Sequence, residues 1–395
     1  MNQDYNKTIR ACFMSYIVQA IVNNFVPLLF LTFEKEYGIS LSKIALLVTV
    51  NFGIQLFVDL LSAGIIDRVG YRISIITAHG LCALGLFSLT ILPDIVSDPW
   101  IGFLLAVMIY GAGGGLLEVL VSPMVEACPT ENKEKAMSML HSFYCWGHVG
   151  VVLLSTLFFV LLGLENWRIL AVLWTFVPVV NLTMFFQVPI ASLIKGGEGI
   201  SLRSLAGKKI FWVFLLLMVC AGAGEQAVSQ WASAFAEEGL GVKKTVGDLM
   251  GPMFFAVMMG VSRAMYGKYG ERLDLKRTMM GSGILCVASY FLIALSPYAA
   301  LGLLGCGLCG LSVGIMWPGT FSMASASIRG GGTPMFAFLA LAGDLGCTSG
   351  PALVGQVSVL LGNRLQMGIL AAVLFPVLFV LILKLCFRGK TYAQK

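Results

Sequence analysis

Hydrophobic runs of about 20 residues recur along this chain, each long enough to cross about 30 Å of hydrocarbon as a helix. A chain in a membrane must hydrogen-bond its own backbone, so runs of this kind form helices. We therefore predict an all-α membrane protein with twelve transmembrane helices. The predicted spans are 9–32, 42–66, 73–93, 100–126, 137–163, 168–189, 210–235, 246–267, 278–296, 298–327, 333–361 and 366–386.

The composition leaves little material for a soluble domain. The chain is 58% hydrophobic and 12% charged, whereas soluble domains are about 25% charged. The first eight residues are polar and the first apolar run is full length, so we expect no cleavable signal peptide.

The distribution of Lys and Arg indicates the orientation. With a cytoplasmic N-terminus, most basic residues outside the spans fall in cytoplasmic segments. The positive-inside rule then predicts that both termini are cytoplasmic. The expected location is the plasma (cytoplasmic) membrane, with several passes.

An internal repeat divides the chain into two halves. Residues 67–72 follow the second span, and a similar acidic and basic segment at 271–276 follows the eighth, 204 positions later (271 minus 67). We predict two homologous six-helix bundles, residues 1–189 and 210–395, joined by a cytoplasmic linker at 190–209. Carriers built from such repeats hold their substrate near the membrane midplane.

Four acidic residues lie inside predicted spans: Asp59, Glu118, Glu225 and Asp344. A carboxylate at the bilayer centre costs about 2.5–3.5 kcal/mol on insertion scales, so such residues usually serve a polar pathway. Arg263 is the one clear basic residue inside a span. Four acids against one base favour a neutral or cationic substrate over an anionic one, and they indicate a cation-coupled carrier.

Polar residues also form stripes at helical spacing, for example Asn51, Gln55 and Asp59. Such stripes either line a water-filled cavity or join helices by hydrogen bonds, and both interpretations stay open. The tryptophans either stack on sugar rings or belong to the membrane interface. The candidate substrate-binding residues are Gln19, Asn23, Asn24, His141, Tyr144, Trp146, Gln226, Gln230, Trp231 and Trp317.

The loop after span two, with Asp67, Arg68, Gly70 and Arg72, resembles the signature loop of the major facilitator superfamily. The resemblance covers essentially the whole chain and implies the major facilitator fold. It also implies that this loop gates the cytoplasmic side through charge pairs and helix dipoles. We assign to this cytoplasmic gate the residues Asp59, Asp67, Arg68, Gly70, Arg72, Arg263, Glu271 and Arg272.

Residues 113–123 and 139–147 resemble helices four and five of the fucose/galactose/glucose proton symporter family. That resemblance implies proton coupling at Glu118, five residues before Pro123, and sugar contacts at His141 and Tyr144. Glu225 resembles the family's helix-seven pattern. The family's helix-one aspartate is replaced here by Pro27, although Asn23 and Asn24 are present.

The predicted function is secondary active transport, with proton-coupled import of a neutral sugar-like solute by alternating access. Sodium is the alternative coupling ion. Glu118, Glu225 and Asp344 are the candidate cation-coupling residues, and Asp344 equally suits a gate. An exporter of lipophilic or cationic compounds is the first alternative, and a non-transporting membrane sensor is the second. We expect a monomer in contact with lipid, not an enzyme, with no cofactor, metal or nucleic acid.

Overall fold

The computed structural model describes residues 5–129, 133–190, 202–269, 274–328 and 332–387. Within these ranges the chain is helical and has no strand, and twelve helices are long and apolar enough to cross a membrane. These observations confirm the predicted all-α fold with twelve spans.

The spanning helices are numbered α1 to α12 in chain order. In the N-terminal half they are α1a (Tyr5–Asn24) with α1b (Phe30–Tyr37), α2 (Leu41–Val69), α3 (Tyr71–Ser88), α4 (Pro99–Ala127), α5 (Lys133–Leu162) and α6 (Trp167–Gln187). In the C-terminal half they are α7 (Lys209–Ser229), α8 (Lys244–Asp248, Leu249–Met253 and Phe254–Tyr269), α9 (Leu275–Leu295), α10 (Ala299–Ser327), α11 (Gly332–Leu360) and α12 (Leu365–Ala372 and Leu374–Cys386).

The first helix of each half is interrupted. In α1 a 3-10 turn, Val26–Leu29, separates α1a from α1b and contains Pro27, which has no backbone N–H to donate. In the seventh span α7 ends at Ser229, and a short helix and a π-helical turn follow over residues 232–239. Discontinuous helices of this kind form the binding sites of many secondary transporters.

Aspartates begin two of the helices. The side chain of Asp98 accepts a hydrogen bond from the backbone N of Trp100 (3.0 Å) at the start of α4. Asp274 accepts one from the backbone N of Arg277 (3.0 Å) at the start of α9. Each bond satisfies a backbone donor that the first turn of a helix leaves without a partner.

The helices divide into two compact units, α1 to α6 and α7 to α12, with the boundary between residues 194 and 195. Within the first unit α4 packs on α2 and α3, α1 packs on α4 and α5, and α6 packs on α3. Within the second unit the same pairs recur six helices later, as α10 with α8 and α9, α7 with α10 and α11, and α12 with α9. Most of the predicted linker, residues 191–201, lies outside the described residues, and Leu202–Ala206 is a short helix.

The first and fourth helices of each half are the most enclosed. In α1, α4, α7 and α10 more than half of the central apolar window is buried, whereas every other span described is buried to half or less. Many of the buried polar residues lie on these four helices, among them Gln19, Asn23, Glu225 and Gln226.

Candidate functional site

The break in α1 carries amide side chains. Asn24, the last residue of α1a, donates from Nδ2 to the carbonyl oxygen of Ala20 (2.9 Å) and to the hydroxyl of Tyr144 on α5 (3.4 Å). The structure thus brings together two of the predicted substrate residues, Asn24 and Tyr144. Amide and hydroxyl groups both donate and accept hydrogen bonds, as a polyhydroxylated solute requires.

A second amide network joins α1 to α2. The Oδ1 atom of Asn23 accepts from Nδ2 of Asn51 (3.2 Å) and from Nε2 of Gln55 (2.8 Å). Part of the predicted polar stripe on α2 therefore serves as interhelical hydrogen bonding. The Oδ1 atom of Asn51 is buried and accepts no hydrogen bond from the described residues, so it retains an unused acceptor.

Glu118 lies beside two residues to which the sequence assigned other roles. Its Oε2 atom accepts from Nε2 of Gln19 on α1 (2.9 Å). Carboxylate oxygens of Glu118 and of Asp59 on α2 lie within 4.8 Å of each other. A residue predicted for coupling, one for substrate binding and one for the gate therefore form a single cluster in the N-terminal half.

Glycines in α4 allow this cluster to form. A methyl group added at Gly115 would lie 2.9 Å from Cα of Gln55, one turn before Asp59 on α2. One added at Gly113 would lie 2.6 Å from the carbonyl oxygen of Ala78 on α3. These two glycines therefore let α2 and α3 approach α4 closely.

Only part of the predicted set on α5 faces α1. The ring of His141 is tilted against that of Tyr16, with 5.5 Å between the centroids, and the hydroxyl of Tyr16 bonds to Ser122 on α4 (3.0 Å). Trp146 lies two residues after Tyr144, on a different face of the helix, and is 52% exposed. The structure does not bring Trp146 to the amide network.

In the C-terminal half Glu225 pairs with the intramembrane base. The Nη2 atom of Arg263 on α8 lies 3.5 Å from Oε2 of Glu225, and Nε2 of Gln226 donates to its Oε1 (3.2 Å). Both charged side chains are largely buried. The sequence left the partner of Arg263 open, and the structure supplies it.

Two further candidates follow on the same stretch of chain. Gln230 donates from Nε2 to Oε1 of Gln226 (3.0 Å), so these amides bond to each other. Trp231 is 0% exposed and donates from Nε1 to the carbonyl oxygen of Pro351 on α11 (3.1 Å). This hydrogen bond joins the end of α7 to α11. The role of Trp231 in stacking on a sugar stays a prediction.

Trp317 on α10 lies against α11. A methyl group added at Gly343 would overlap the Trp317 ring, which therefore uses the space that the glycine leaves. The next residue, Asp344, is buried, and its backbone carbonyl accepts from the hydroxyl of Thr348 (2.9 Å). The coupling and gate roles of Asp344 both stay predictions.

The loop between α2 and α3 depends on Gly70. Its φ of 89° and ψ of 150° are accessible to glycine and strained for other residues. The backbone of Asp67 and Arg68 belongs to α2, but their side chains lie outside what the structure describes. Glu271 and Arg272 lie outside the described residues altogether.

Arg72, predicted to gate through charge pairs, binds backbone carbonyls at the end of α6. Its guanidinium donates to the carbonyl oxygens of Phe185 (2.6 Å), Phe186 (3.1 Å) and Val188 (2.9 Å). Lys276, its equivalent 204 residues later, donates to the carbonyl oxygen of Phe387 at the end of α12. A cation is favourable there because a helix C-terminus has unpaired carbonyls and a negative dipole end.

A buried polar cluster joining α1, α3 and α6 was not predicted. Nε2 of His79 lies 2.8 Å from Nδ2 of Asn181 and 3.2 Å from Oγ of Ser15, while Nδ1 contacts the carbonyl oxygen of Ile75 (2.8 Å). The carbonyl contact makes Nδ1 the donor, so Nε2 is the acceptor. A histidine and an asparagine inside apolar spans were the available signal.

Asp248, also missed, is a fully buried carboxylate near the start of α8. It accepts from the hydroxyl of Ser233 and pairs with Nζ of Lys244 (3.2 Å). The sequence signal was the spacing of Lys244 and Asp248, four residues apart at the edge of a span. The pair neutralises itself and has the features of a structural contact.

The fold is similar to that of several solved transporters. The nucleoside transporter NupG aligns with a TM-score of 0.78 at 13% identity, covering 97% of this chain and 100% of that one. A D-xylose-proton symporter gives 0.75 at 14% identity, covering 98% and 99%. The E. coli fucose:proton symporter FucP gives 0.66 at 18% identity, covering 98% and 100%. At these identities the likeness shows the fold.

A relative in sequence is the membrane protein MosC of Rhizobium meliloti, 23% identical over 261 residues. The alignment covers 66% of this chain and 62% of MosC. The family model of the Major Facilitator Superfamily matches residues 11–351, most of the chain. This match shows that the chain belongs to the Major Facilitator Superfamily, a family of transporters and not of enzymes.

Proposed function

We propose that this protein is a secondary active transporter that imports a neutral sugar-like solute together with protons by alternating access. The observation that carries the proposal is the set of amide and hydroxyl groups at the interrupted α1. Asn24 is hydrogen-bonded there to Tyr144 on α5, and Asn23 is hydrogen-bonded to Asn51 and Gln55 on α2. Groups that both donate and accept suit a ligand rich in hydroxyls.

The charges support a neutral solute. Among the described residues of the helix interiors, Arg263 is already paired with Glu225, and Lys244 with Asp248. An anionic solute needs a basic partner that is not already neutralised. The acid Glu118 suits a cation, which in this proposal is the coupling proton.

The solved structures with this fold supply the first solutes to test. Their names describe transport of fucose, xylose and nucleosides, all of which contain a sugar. We extend this chemistry to the present chain as part of the proposal. The exporter alternative requires lipophilic cations instead, and the same assay includes them.

We further propose that both termini face the cytoplasm and that the carrier lies in the plasma membrane. The placement of Lys and Arg supports this orientation. Under it, Arg72 and Lys276 hold the cytoplasmic ends of α6 and α12 in their own halves. Alternating access then moves each half as a packed unit.

Transport into proteoliposomes tests the proposal. Purified protein is reconstituted, and uptake of labelled fucose, xylose, glucose, uridine and tetraphenylphosphonium is measured with and without an inward proton gradient. We expect one sugar-containing solute to accumulate only with the gradient. Transport of tetraphenylphosphonium alone, driven by the opposite gradient, would instead support the exporter.

The variant Glu118→Gln separates coupling from transport. It keeps the size and hydrogen-bonding capacity of the side chain but cannot exchange a proton. We expect gradient-driven accumulation to be lost, while exchange of the solute across the membrane persists. Normal accumulation by this variant contradicts the role of Glu118.

A further inference from the structure

We propose that Asp59 and Glu118 form one proton-binding site, in which the two carboxyl groups share a single proton and the amide of Gln19 responds to it. This inference rests on the proposed function, which names proton coupling but gives Asp59 no part in it. It assigns Asp59 to the coupling site rather than to the gate, and it makes Gln19 a positioning residue.

The first observation is the proximity of two like charges. Oxygens of Asp59 and Glu118 lie within 4.8 Å of each other in the N-terminal half, and both side chains are half-buried. Two carboxylates at this distance repel each other strongly where water is scarce. One bound proton removes one of the two charges and so removes the repulsion.

The second observation is an acceptor without a donor. Gln19 is only 4% exposed, and its Nε2 donates to Glu118. Its Oε1 atom is buried and accepts no hydrogen bond from the described residues. A buried acceptor left unsatisfied is costly. A protonated carboxyl group has an O–H to donate, so the proton that relieves the repulsion also supplies this donor.

The step moves one proton and no electrons. A proton from water binds a carboxylate oxygen of the pair, and the carboxylate becomes a carboxylic acid with one new O–H bond. The Gln19 amide then rotates. Before the proton binds, its N–H donates to the carboxylate; afterwards its C=O accepts from the O–H of the carboxylic acid. Loss of the proton reverses both changes.

Several titratable groups on the helices around α4 contact other partners. Tyr16 bonds to Ser122, His141 stacks obliquely on Tyr16, and His79 bonds to Ser15 and Asn181. Basic side chains described on the packed helices also lie away from the pair or bind elsewhere. Lys7 and Arg10 are exposed. Lys43 pairs with Asp98, and Arg72 binds the end of α6.

Gln19 connects the pair to the solute region. It lies one turn before Asn23 on α1a, and Asn23 holds Asn51 and Gln55 of α2. Rotation of the Gln19 amide changes the bond between α1 and α4 directly beneath the break at Asn24. Helix α1a, which has no acidic residue, therefore senses the proton through an amide.

Infrared spectroscopy of the full-length protein in detergent tests the proposal without a solute. A carboxylic acid C=O band that grows as the pH falls is followed in wild type, Asp59→Asn, Glu118→Gln and the double variant. Because the groups share a proton, we expect each single variant to change the proton affinity of the remaining acid by about tenfold or more. The double variant lacks the part of the band that these two residues contribute, which is measured as the difference from the wild-type spectrum at each pH.

Two further variants complete the test. Gln19→Met has a similar length and no hydrogen-bonding amide, so we expect it to shift the frequency of the C=O band while the protein stays folded in a thermal melt. Asp248→Asn removes a buried carboxylate that is paired with Lys244, and we expect it to leave unchanged the part of the band that Asp59 and Glu118 contribute. If Gln19→Met unfolds, the variants Asp59→Asn and Glu118→Gln still test the proposal.

Two results would overturn the proposal. One is an Asp59→Asn titration that superimposes on wild type. The other is a C=O titration whose midpoint pH moves when sodium chloride is added but not when choline chloride is added. That result would identify a sodium ion as the ligand. Neither depends on solute transport, so import of a sugar can fail or succeed independently of this site.

Discussion

The two halves use one packing scheme for different charge arrangements. Asp59 on α2 and Arg263 on α8 are equivalent at the repeat offset of 204 residues (263 minus 59). In the N-terminal half Asp59 stands beside a second acid, Glu118, whereas in the C-terminal half Arg263 neutralises Glu225. One half thus places two like charges together, while the other holds a compensated ion pair.

We expect the largest difference between the two halves in the free energy of unfolding of variants that remove one charge. Arg263→Leu leaves Glu225 buried without its cation, and we expect a loss of about 3–5 kcal/mol in the free energy of unfolding. The measurement is a denaturant titration in detergent micelles. Glu118→Gln, which removes a charge from beside Asp59, should not destabilise the protein.

The control for this prediction is the double variant Glu225→Gln/Arg263→Leu. With both charges removed, most of the lost stability should return, because the cost arises from the charge left behind. If the double variant is as unstable as Arg263→Leu, the ion pair does not explain the loss.

The amide networks give the next comparison. Asn23→Leu removes the acceptor of two buried donors, those of Asn51 and Gln55, and each unsatisfied donor costs about 1–3 kcal/mol. Gln230→Leu in the C-terminal half removes one donor from Gln226. We expect Asn23→Leu to lower the denaturation midpoint more than Gln230→Leu, and equal effects would contradict the network.

The sequence was sufficient to predict the fold because membrane spans are long, local signals. Twelve apolar runs and a repeated loop led to the twelve helices that the structure shows. The break in α1 was less visible, since Pro27 indicates an interruption but not where the flanking amides point. Helix breaks depend on packing against neighbours as well as on local residue preferences.

The site was harder to predict because its contacts join distant segments. Glu118 stood out as an acid near glycines, but its contact with Gln19 bridges 99 positions, and that of Arg263 with Glu225 bridges 38. Spacing along one helix shows which residues share a face and does not identify the facing helix. Arg72 shows the same limit, because a family pattern drew attention to charge pairs and the structure shows carbonyl partners.

Arg72 and Lys276, which bind the C-terminal ends of α6 and α12, allow a smaller effect on stability to be compared between the halves. Arg72 donates three bonds to the end of α6, and Lys276 donates to one carbonyl at the end of α12. We expect Arg72→Met to cost about 1–3 kcal/mol and Lys276→Met less, since hydrogen bonds to charged groups contribute about 1.5–3 kcal/mol and fewer are lost. Denaturant titrations of the two variants measure the difference, and a larger loss for Lys276→Met would contradict it.

The smallest effects concern two tryptophans that the sequence treated alike. Trp146→Phe changes a side chain that is 52% exposed, so stability should stay within about 0.5 kcal/mol of wild type. Trp231→Phe removes the indole N–H bond to Pro351, and a hydrogen bond of this kind contributes about 0.5–1.5 kcal/mol. If Trp146 nevertheless lies against the solute, Trp146→Phe raises the KM for transport without altering the melt. Trp231→Phe should do the reverse, with a lower melting temperature and transport that recovers on cooling, because its effect acts through the contact between α7 and α11.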